Sequence, residues 1–376
     1  MTASTVPPDP TPPAATRPAP IRVDLLVVGA GPTGLYAAYC AGFRGLTVAV
    51  VDSLPEAGGQ ISALYPEKMI HDVAGFPAVR GRDLVAGLLH QAGRYRPHLL
   101  LGQQADTLTR GPDDRLTVTS HRGIRVEAGA VVLTGGIGRF VPRTLPAAVD
   151  FAGSGVEYFV RDPQVHRGRD VVVVGGGDSA VDWAVTLAPL ASRTTLVHRR
   201  ARFRAHQESV RAAVAAGVDV RTDTEVAEIV GKDAVSAVRL VDHGAGSTEL
   251  ISCGSLIAAL GFTADLGPLR TWGLEIVERR IAVDSRMATS VPGVFAAGDI
   301  GDYSGKVRLM SVGFGEAATA VANAAVLLDP ATDLFPGHST DGGPEPALAD
   351  PPPLSAGSGP ASPLKTKESA DGVRDR

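Results

Sequence analysis

Two glycine-rich turns of one design occur in this chain, Gly29-Ala30-Gly31-Pro32-Thr33-Gly34 and Gly175-Gly176-Gly177-Asp178-Ser179-Ala180. Each stands directly behind an aliphatic run, Leu25 to Val28 and Val171 to Val174. Such runs read as buried parallel strands, and the first glycine of each turn lets the strand bend sharply into a helix. Gly31 and Gly177 remove the side chain where a pyrophosphate must approach the backbone. Gly34 and Ala180 then let the helix pack close to its strand, with its N-terminal amide groups facing the phosphates. One such turn is weak evidence, because glycine turns occur in many α/β sheets. The pair predicts an α/β chain with two Rossmann-like dinucleotide-binding domains, and two nucleotides in one chain imply electron transfer between them.

The residues after each turn separate the two ligands. Behind the first, the run Thr47 to Val51 ends in Asp52, at about the 20-residue spacing where an acid accepts hydrogen bonds from a ribose 2′-hydroxyl. The matching place behind the second is His198, followed by Arg199, Arg200 and, further on, Arg204, with no carboxylate. Guanidinium groups there can clamp a 2′-phosphate that a carboxylate would repel, so the second site is expected to take NADPH rather than NADH. A solvated basic face is the other reading of Arg199, Arg200, Arg202 and Arg204.

A third segment bears on the first site. Val294-Phe295-Ala296-Ala297-Gly298-Asp299 is a hydrophobic strand ending in Gly-Asp, and the stretch Gly313-Phe314-Gly315-Glu316-Ala317-Ala318 follows it. This resembles the second FAD-binding motif of two-domain flavoprotein reductases, and Val131-Val132-Leu133-Thr134-Gly135-Gly136 resembles the short strand that ends the first FAD segment. FAD is therefore expected in the first site. A helix expected to begin near Gly315 would point its positive end at the flavin.

The 376 residues, 44% of them hydrophobic, suffice for two cored domains, and a net charge of −4 argues against nucleic-acid binding by bulk electrostatics. Residues 1–20 lack the features of an export signal and read, like the Pro-, Gly- and Ser-rich 341–376, as disordered extension. With no run of about 18 consecutive apolar residues, no membrane contact is expected and the cytoplasm is the expected location. His71, His90, His98, His121, His166 and His243 show no metal-ligand spacing. Only two cysteines occur, Cys40 and Cys253, far apart and read as buried apolar residues.

Further motifs are Ser53-Leu54-Pro55 with Gly58-Gly59-Gln60, Ala63-Leu64-Tyr65-Pro66-Glu67-Lys68, Asp72-Val73-Ala74-Gly75-Phe76-Pro77, Phe203-Arg204-Ala205-His206, Tyr303 with Gly305-Lys306-Val307, and His338-Ser339-Thr340. With these and the two turns, the chain from about Val23 to Thr340 resembles the ferredoxin/flavodoxin-NADP(+) reductases of the thioredoxin-reductase-like type. Thioredoxin reductases keep a CxxC dithiol shortly before the second turn; here Gly155 to Asp162 contain no sulfur. A disulfide relay needs two thiols near the flavin, so electrons are expected to leave the flavin directly.

The resemblance implies an FAD domain of 21–142 and 265–340, interrupted by an NADPH domain of 146–262. It implies FAD contacts at Gly29, Gly31, Pro32, Thr33, Gly34, Asp52, Gly59, Gln60, Tyr65, Ala105, Thr134, Phe140, Asp299, Ala317 and Thr340. For NADPH it implies Gly175, Gly177, Asp178, Ser179, Ala180, His198, Arg199, Arg200 and Arg204. Tyr65 would stack on one flavin face and His338 would cover the other, in its own subunit or across a homodimer. Hydride from NADPH would pass to the flavin, then single electrons to ferredoxin or flavodoxin, with no acid–base residue required. Glu316 near the flavin would tune the rate, and Lys68, Lys306 and Arg308 are candidates for a positive docking rim. Two other readings stay open: an NADPH oxidase or disulfide reductase that borrows an external dithiol, and an FAD-binding redox sensor without catalysis.

Overall fold

The computed structural model describes residues 19–151, 153–338 and 340. Most of the extension expected over 1–20 and all of 341–376 lie outside the described residues. Six helices are present among them: α1 (Pro32–Phe43), α2 (Gln60–Leu64), α3 (Gly81–Gly93), α4 (Asp178–Leu187), α5 (Gln207–Ala215) and α6 (Met310–Leu328).

A first sheet holds, in spatial order, His98–Leu100, Val48–Val51, Ile21–Val28, Arg125–Leu133, Leu116–Ser120 and Ala105–Arg110. Strand Arg125–Leu133 does two jobs along its length. Its beginning pairs antiparallel with Leu116–Ser120, and its end pairs parallel with Val294–Ala296, a strand returning from far along the chain. Side chains alternate between two cores, as the period of a strand requires. Leu25, Val27, Val48 and Val50 face α1, α3 and α6, whereas Leu26, Ala49 and Val51 face a layer that includes Leu269, Trp272, Leu274 and Ile281.

The second sheet is wholly parallel, in the order Val156–Glu157, Ser255–Ala258, Asp170–Val174, Arg193–Val197, Asp219–Arg221. Val171 and Val173 pack on α4 and α5, while Val172 and Val174 pack on a three-stranded antiparallel sheet spanning 224–252. Burial on both faces explains the unbroken aliphatic run. Between the two sheets the chain crosses twice side by side, Arg139–Pro142 lying antiparallel to Phe262–Asp265.

One boundary differs from expectation. α6 starts at Met310, not near Gly315, because Met310-Ser311-Val312 contains no helix breaker. Its first glycine serves a close crossing instead: a Cβ on Gly313 would lie 2.7 Å from Thr33 Oγ1 and 3.4 Å from Gly298 Cα. By length and composition α6 is apolar enough to cross a bilayer, but here Ala317, Ala320, Val321 and Ala324 fill the core beside α1.

Candidate functional site

A cavity of about 580 Å³ opens at the C-terminal ends of the first sheet's parallel strands, where open α/β sheets bind ligands. The first turn forms its floor. Gly29, at φ +117°, has its amide bonded to Val51 O at 2.8 Å and its carbonyl held by the Thr134 hydroxyl at 2.9 Å. A Cβ there would strike Thr134 at 2.7 Å, and one on Gly34 would lie 1.8 Å from Gly29 O. These two glycines are required by the protein itself. Gly31 differs, for a Cβ on it would meet nothing closer than Gly59 Cα at 3.9 Å. Its missing side chain leaves room for a ligand at the start of α1, where Pro32 and Thr33 line the cavity.

Asp52 lies on the wall, its Oδ2 accepting from Ala30 N at 2.6 Å and its Oδ1 from Leu54 N at 2.8 Å. Each oxygen keeps a lone pair for a ligand hydroxyl. Burial pushes its carboxyl above the usual range, against the two amide bonds that pull it down. Gly59, Gln60, Tyr65, Ala105 and Asp299 also line the cavity. Tyr65 caps the C-terminal end of α2, and burial, with Asp299 and Asp72 nearby, raises its phenol pKa. The cavity volume, the side-chain-free slot at a helix N-terminus and the acceptor pair on Asp52 fit a dinucleotide such as FAD. Gln103, Gln104 and the turn Leu266 to Leu269 also line it. They carry no motif, and the turn reaches the cavity only after the chain has returned from the second sheet.

Other expected residues are placed elsewhere. Ala317 is wholly buried in the core beneath the cavity, where α6 meets α1. His338 and Thr340 are exposed and do not line the cavity; His338 sets its ring edge-on to Phe335 at 5.0 Å. The reason is the course of the chain. α6 carries it away from the cavity for about 28 Å at 1.5 Å per residue, and Arg44, just past the far end of α1, then holds the carbonyls of Asp333 and Leu334. Phe140 is in the crossover strand, its side chain outside the described residues.

The docking rim is corrected at Lys306, while Lys68 and Arg308 are exposed. Lys306 is 3% exposed and bonded to Glu316, so neither residue stands on a surface. Lys68 pairs with Asp182 of α4, and Arg308 with Asp302 at 3.0 Å.

The second turn is built the same way. A Cβ on Gly175 would lie 2.4 Å from Ala259 O and 2.7 Å from Ala180 Cβ, whereas one on Gly177 would meet only the Arg204 guanidinium at 3.9 Å. The arginine segment is laced to this turn: Arg204 N and Ala205 N donate to Gly176 O at 2.7 and 3.2 Å, and His206 N donates to Asp178 Oδ1 at 3.0 Å. His198 is buried under Gly176, its ring tilted 31° to that of Phe203 at 4.8 Å, with Nε2 3.1 Å from Arg202 O. That contact makes Nε2 the protonated nitrogen. Burial holds His198 below the usual imidazole pKa, offset in part by the Arg202 carbonyl and reinforced by Arg200, Arg204 and Arg199. Arg199, Arg200 and Arg204 are exposed, as is Ser179. Among the described residues no carboxylate pairs with these three arginines.

Both thiols are unbonded to each other, Cys40 in the first core and Cys253 in the second. Burial pushes each to about 11, far from a reactive thiolate.

Fold and loops together define an α/β chain with two dinucleotide-binding turns, each at the C-terminal edge of its own parallel sheet. Residues 23–324 match the model of the pyridine nucleotide-disulphide oxidoreductases, and the chain belongs to that family. A ferredoxin–NADP reductase of Salinispora tropica is 58% identical over 320 residues, 85% of this chain and 99% of that one. One of Frankia casuarinae is 56% identical, again over 85% and 99%. Among solved structures, thioredoxin reductase of T. acidophilum superposes with a TM-score of 0.69 at 26% identity, covering 82% of this chain and 98% of that one.

Proposed function

We propose that this protein is an FAD-dependent ferredoxin–NADP reductase, moving electrons between NADPH and ferredoxin or flavodoxin as a cytoplasmic homodimer. Its domains are divided at 21–142 with 265–340 for FAD and 146–262 for NADPH. The carrying observation is the opposite chemistry of two like turns: an acceptor carboxylate, Asp52, beside the first, and beside the second a segment with three exposed arginines, bonded to the turn through Arg204 N, Ala205 N and His206 N.

Asp52 holds the adenosine ribose, Gly29, Gly31, Pro32 and Thr33 admit the pyrophosphate to the start of α1, and Asp299 with Gln60 holds the ribityl and ring end. When bound, FAD would supply the exchange of one hydride, two electrons, from NADPH for two single electrons, which a one-electron partner needs. Tyr65 covers the ring and keeps water from it. Arg199 and Arg200 grip the 2′-phosphate of NADPH, with Arg204 beside Gly177. His198 supports this segment from beneath through the Arg202 carbonyl. The one proton left over when a hydride is passed on as two single electrons would go to solvent, and no side chain of the cavity is assigned to carry it. The arm 333–338 is anchored at the end of α1 remote from the cavity, and in a homodimer it would cover the flavin of a second copy of the chain. The two unpaired, unreactive cysteines weigh against a disulfide relay.

Steady-state NADPH oxidation with ferredoxin, flavodoxin, oxygen and a small disulfide as alternative acceptors tests this reading. Ferredoxin or flavodoxin should be reduced at least about tenfold faster than oxygen or the disulfide, a margin of roughly 1.4 kcal/mol in barrier. Equal or faster turnover with oxygen or the disulfide would favour the oxidase or dithiol-borrowing alternative.

A further inference from the structure

Behind the cavity wall lies a charge pair that the electron-transfer chemistry does not itself require. Lys306 and Glu316 are 3% and 5% exposed, the ammonium contacting both carboxylate oxygens. The remaining partners are specific. Glu316 Oε2 accepts from Gly298 N at 2.8 Å, Lys306 Nζ donates to Gly298 O at 2.9 Å, and the Tyr303 hydroxyl donates to Glu316 Oε1 at 2.7 Å. One residue, Gly298, thus has both its amide and its carbonyl held by the two members of the pair. Gly298 sits at φ +77° where strand Val294–Ala296 ends, and a Cβ on it would lie 2.9 Å from Thr33 Oγ1. It lines the cavity, as does Asp299, the next residue. The bond to Glu316 also pushes the Tyr303 phenol to about 12.

A buried ion pair contributes little as stability alone, because desolvation offsets most of the Coulomb attraction. What this pair does achieve is geometric: it ties the Gly298–Asp299 turn to α6 beside the start of α1. We propose that Lys306 and Glu316 are positioning residues that fix the Gly298–Asp299 turn against the flavin dinucleotide, and that their mutual charge balance sets the potential of that flavin. This rests on FAD being the occupant of the first cavity. With the partner removed, either residue leaves an uncompensated charge one residue behind the cavity wall. An unpaired Lys306 cation favours electron uptake by the flavin, and an unpaired Glu316 anion opposes it.

The test uses the full chain as Lys306→Met, Glu316→Gln and the charge-conserving Tyr303→Phe. FAD dissociation constants come from titration of the apoprotein, flavin midpoint potentials from dye equilibration, and the melting temperature of each apoprotein checks folding. Lys306→Met and Glu316→Gln should each weaken FAD binding about tenfold or more, as loss of a bond to a charged group does. Their potentials should move in opposite directions, Glu316→Gln upward and Lys306→Met downward, which a merely structural role would not produce. Tyr303→Phe, the mildest change, should weaken FAD by roughly two- to fivefold, less than either charge variant because Lys306 and Gly298 N still hold Glu316. It keeps the proposal open to failure should either charge variant not fold. Affinities within twofold of the parent, or potentials that move in the same direction, overturn it. A parent protein that binds no FAD overturns instead the reading of the cavity, so the two failures are distinct.

Discussion

The two glycine turns are near copies in backbone and opposites in what surrounds them. At both, one glycine is demanded by the protein, Gly34 against Gly29 O and Gly175 against Ala259 O, and another, Gly31 or Gly177, faces open space. The backbone therefore specifies a dinucleotide, and it does so twice. On the proposed reading, side chains at the end of the next strand decide which dinucleotide, an anion-repelling carboxylate beside the first turn and a phosphate-attracting arginine segment beside the second. A shared fold fragment carries the binding, and a few side chains at strand ends carry the specificity.

Substitutions at the glycines break the comparison most severely. Gly34→Ala places a Cβ 1.8 Å from Gly29 O, so it is expected to cost about 3 kcal/mol or more in overpacking, seen as a lowered melting temperature and loss of bound flavin. Gly177→Ala meets only Arg204 at 3.9 Å. Its melting temperature should match the parent while KM for NADPH rises about tenfold, because the methyl occupies the phosphate's space and not the protein's. A large drop in melting temperature for Gly177→Ala would remove the distinction between the two kinds of glycine.

The specificity residues come next. Arg199→Ala with Arg200→Ala should lower the NADPH over NADH preference in kcat/KM by about 10²-fold, since bonds between charged groups contribute roughly 1.5–3 kcal/mol; turnover with NADH should change little. Asp52→Asn should leave that preference untouched and weaken FAD by about 10- to 30-fold, because an amide NH₂ would face the Ala30 or Leu54 N–H that Asp52 now satisfies. Flavin fluorescence on dilution measures the second effect.

Acidification should give the smallest effect, and it should divide the two regions. His198 is held below its usual 6.5, and so is fully buried His166. Groups with depressed folded pKa values contribute stability that is present above 6.5 and lost as pH falls through the lowered value. Asp52 is raised from 3.8, so its contribution runs the other way, present below 3.8 and lost as pH rises through the raised value. Between pH 7 and 5, NADPH binding should weaken before FAD is released, and His198→Asn should flatten the change.

Sequence reading reached the turns because their glycines answer local steric demands, and it reached Asp52 and the arginines because strand ends follow turns at a set spacing. It missed Gln103 and Gln104, which carry no motif and reach the wall beside Asp52, where Gln103 N donates to Asp52 O, and the 266–269 turn, which only the double crossover brings there. Lys306 illustrates the other kind of failure. A lysine in a glycine-flanked loop reads as exposed, and only the fold brings Glu316 of α6 to it. His338 is similar, since its distance from the cavity is set by the direction of α6 and the anchor at Arg44.

The most direct test of electron flow from NADPH through flavin to a protein acceptor is anaerobic rapid mixing of the flavin-loaded protein with NADPH or NADH, followed by oxidised ferredoxin. The expected result is fast loss of the flavin absorbance with NADPH, slower loss with NADH, and its return when ferredoxin is added. Loss with both nucleotides at equal rates would contradict the arginine reading, loss without return would contradict the acceptor, and no loss with NADPH would contradict the reductase itself.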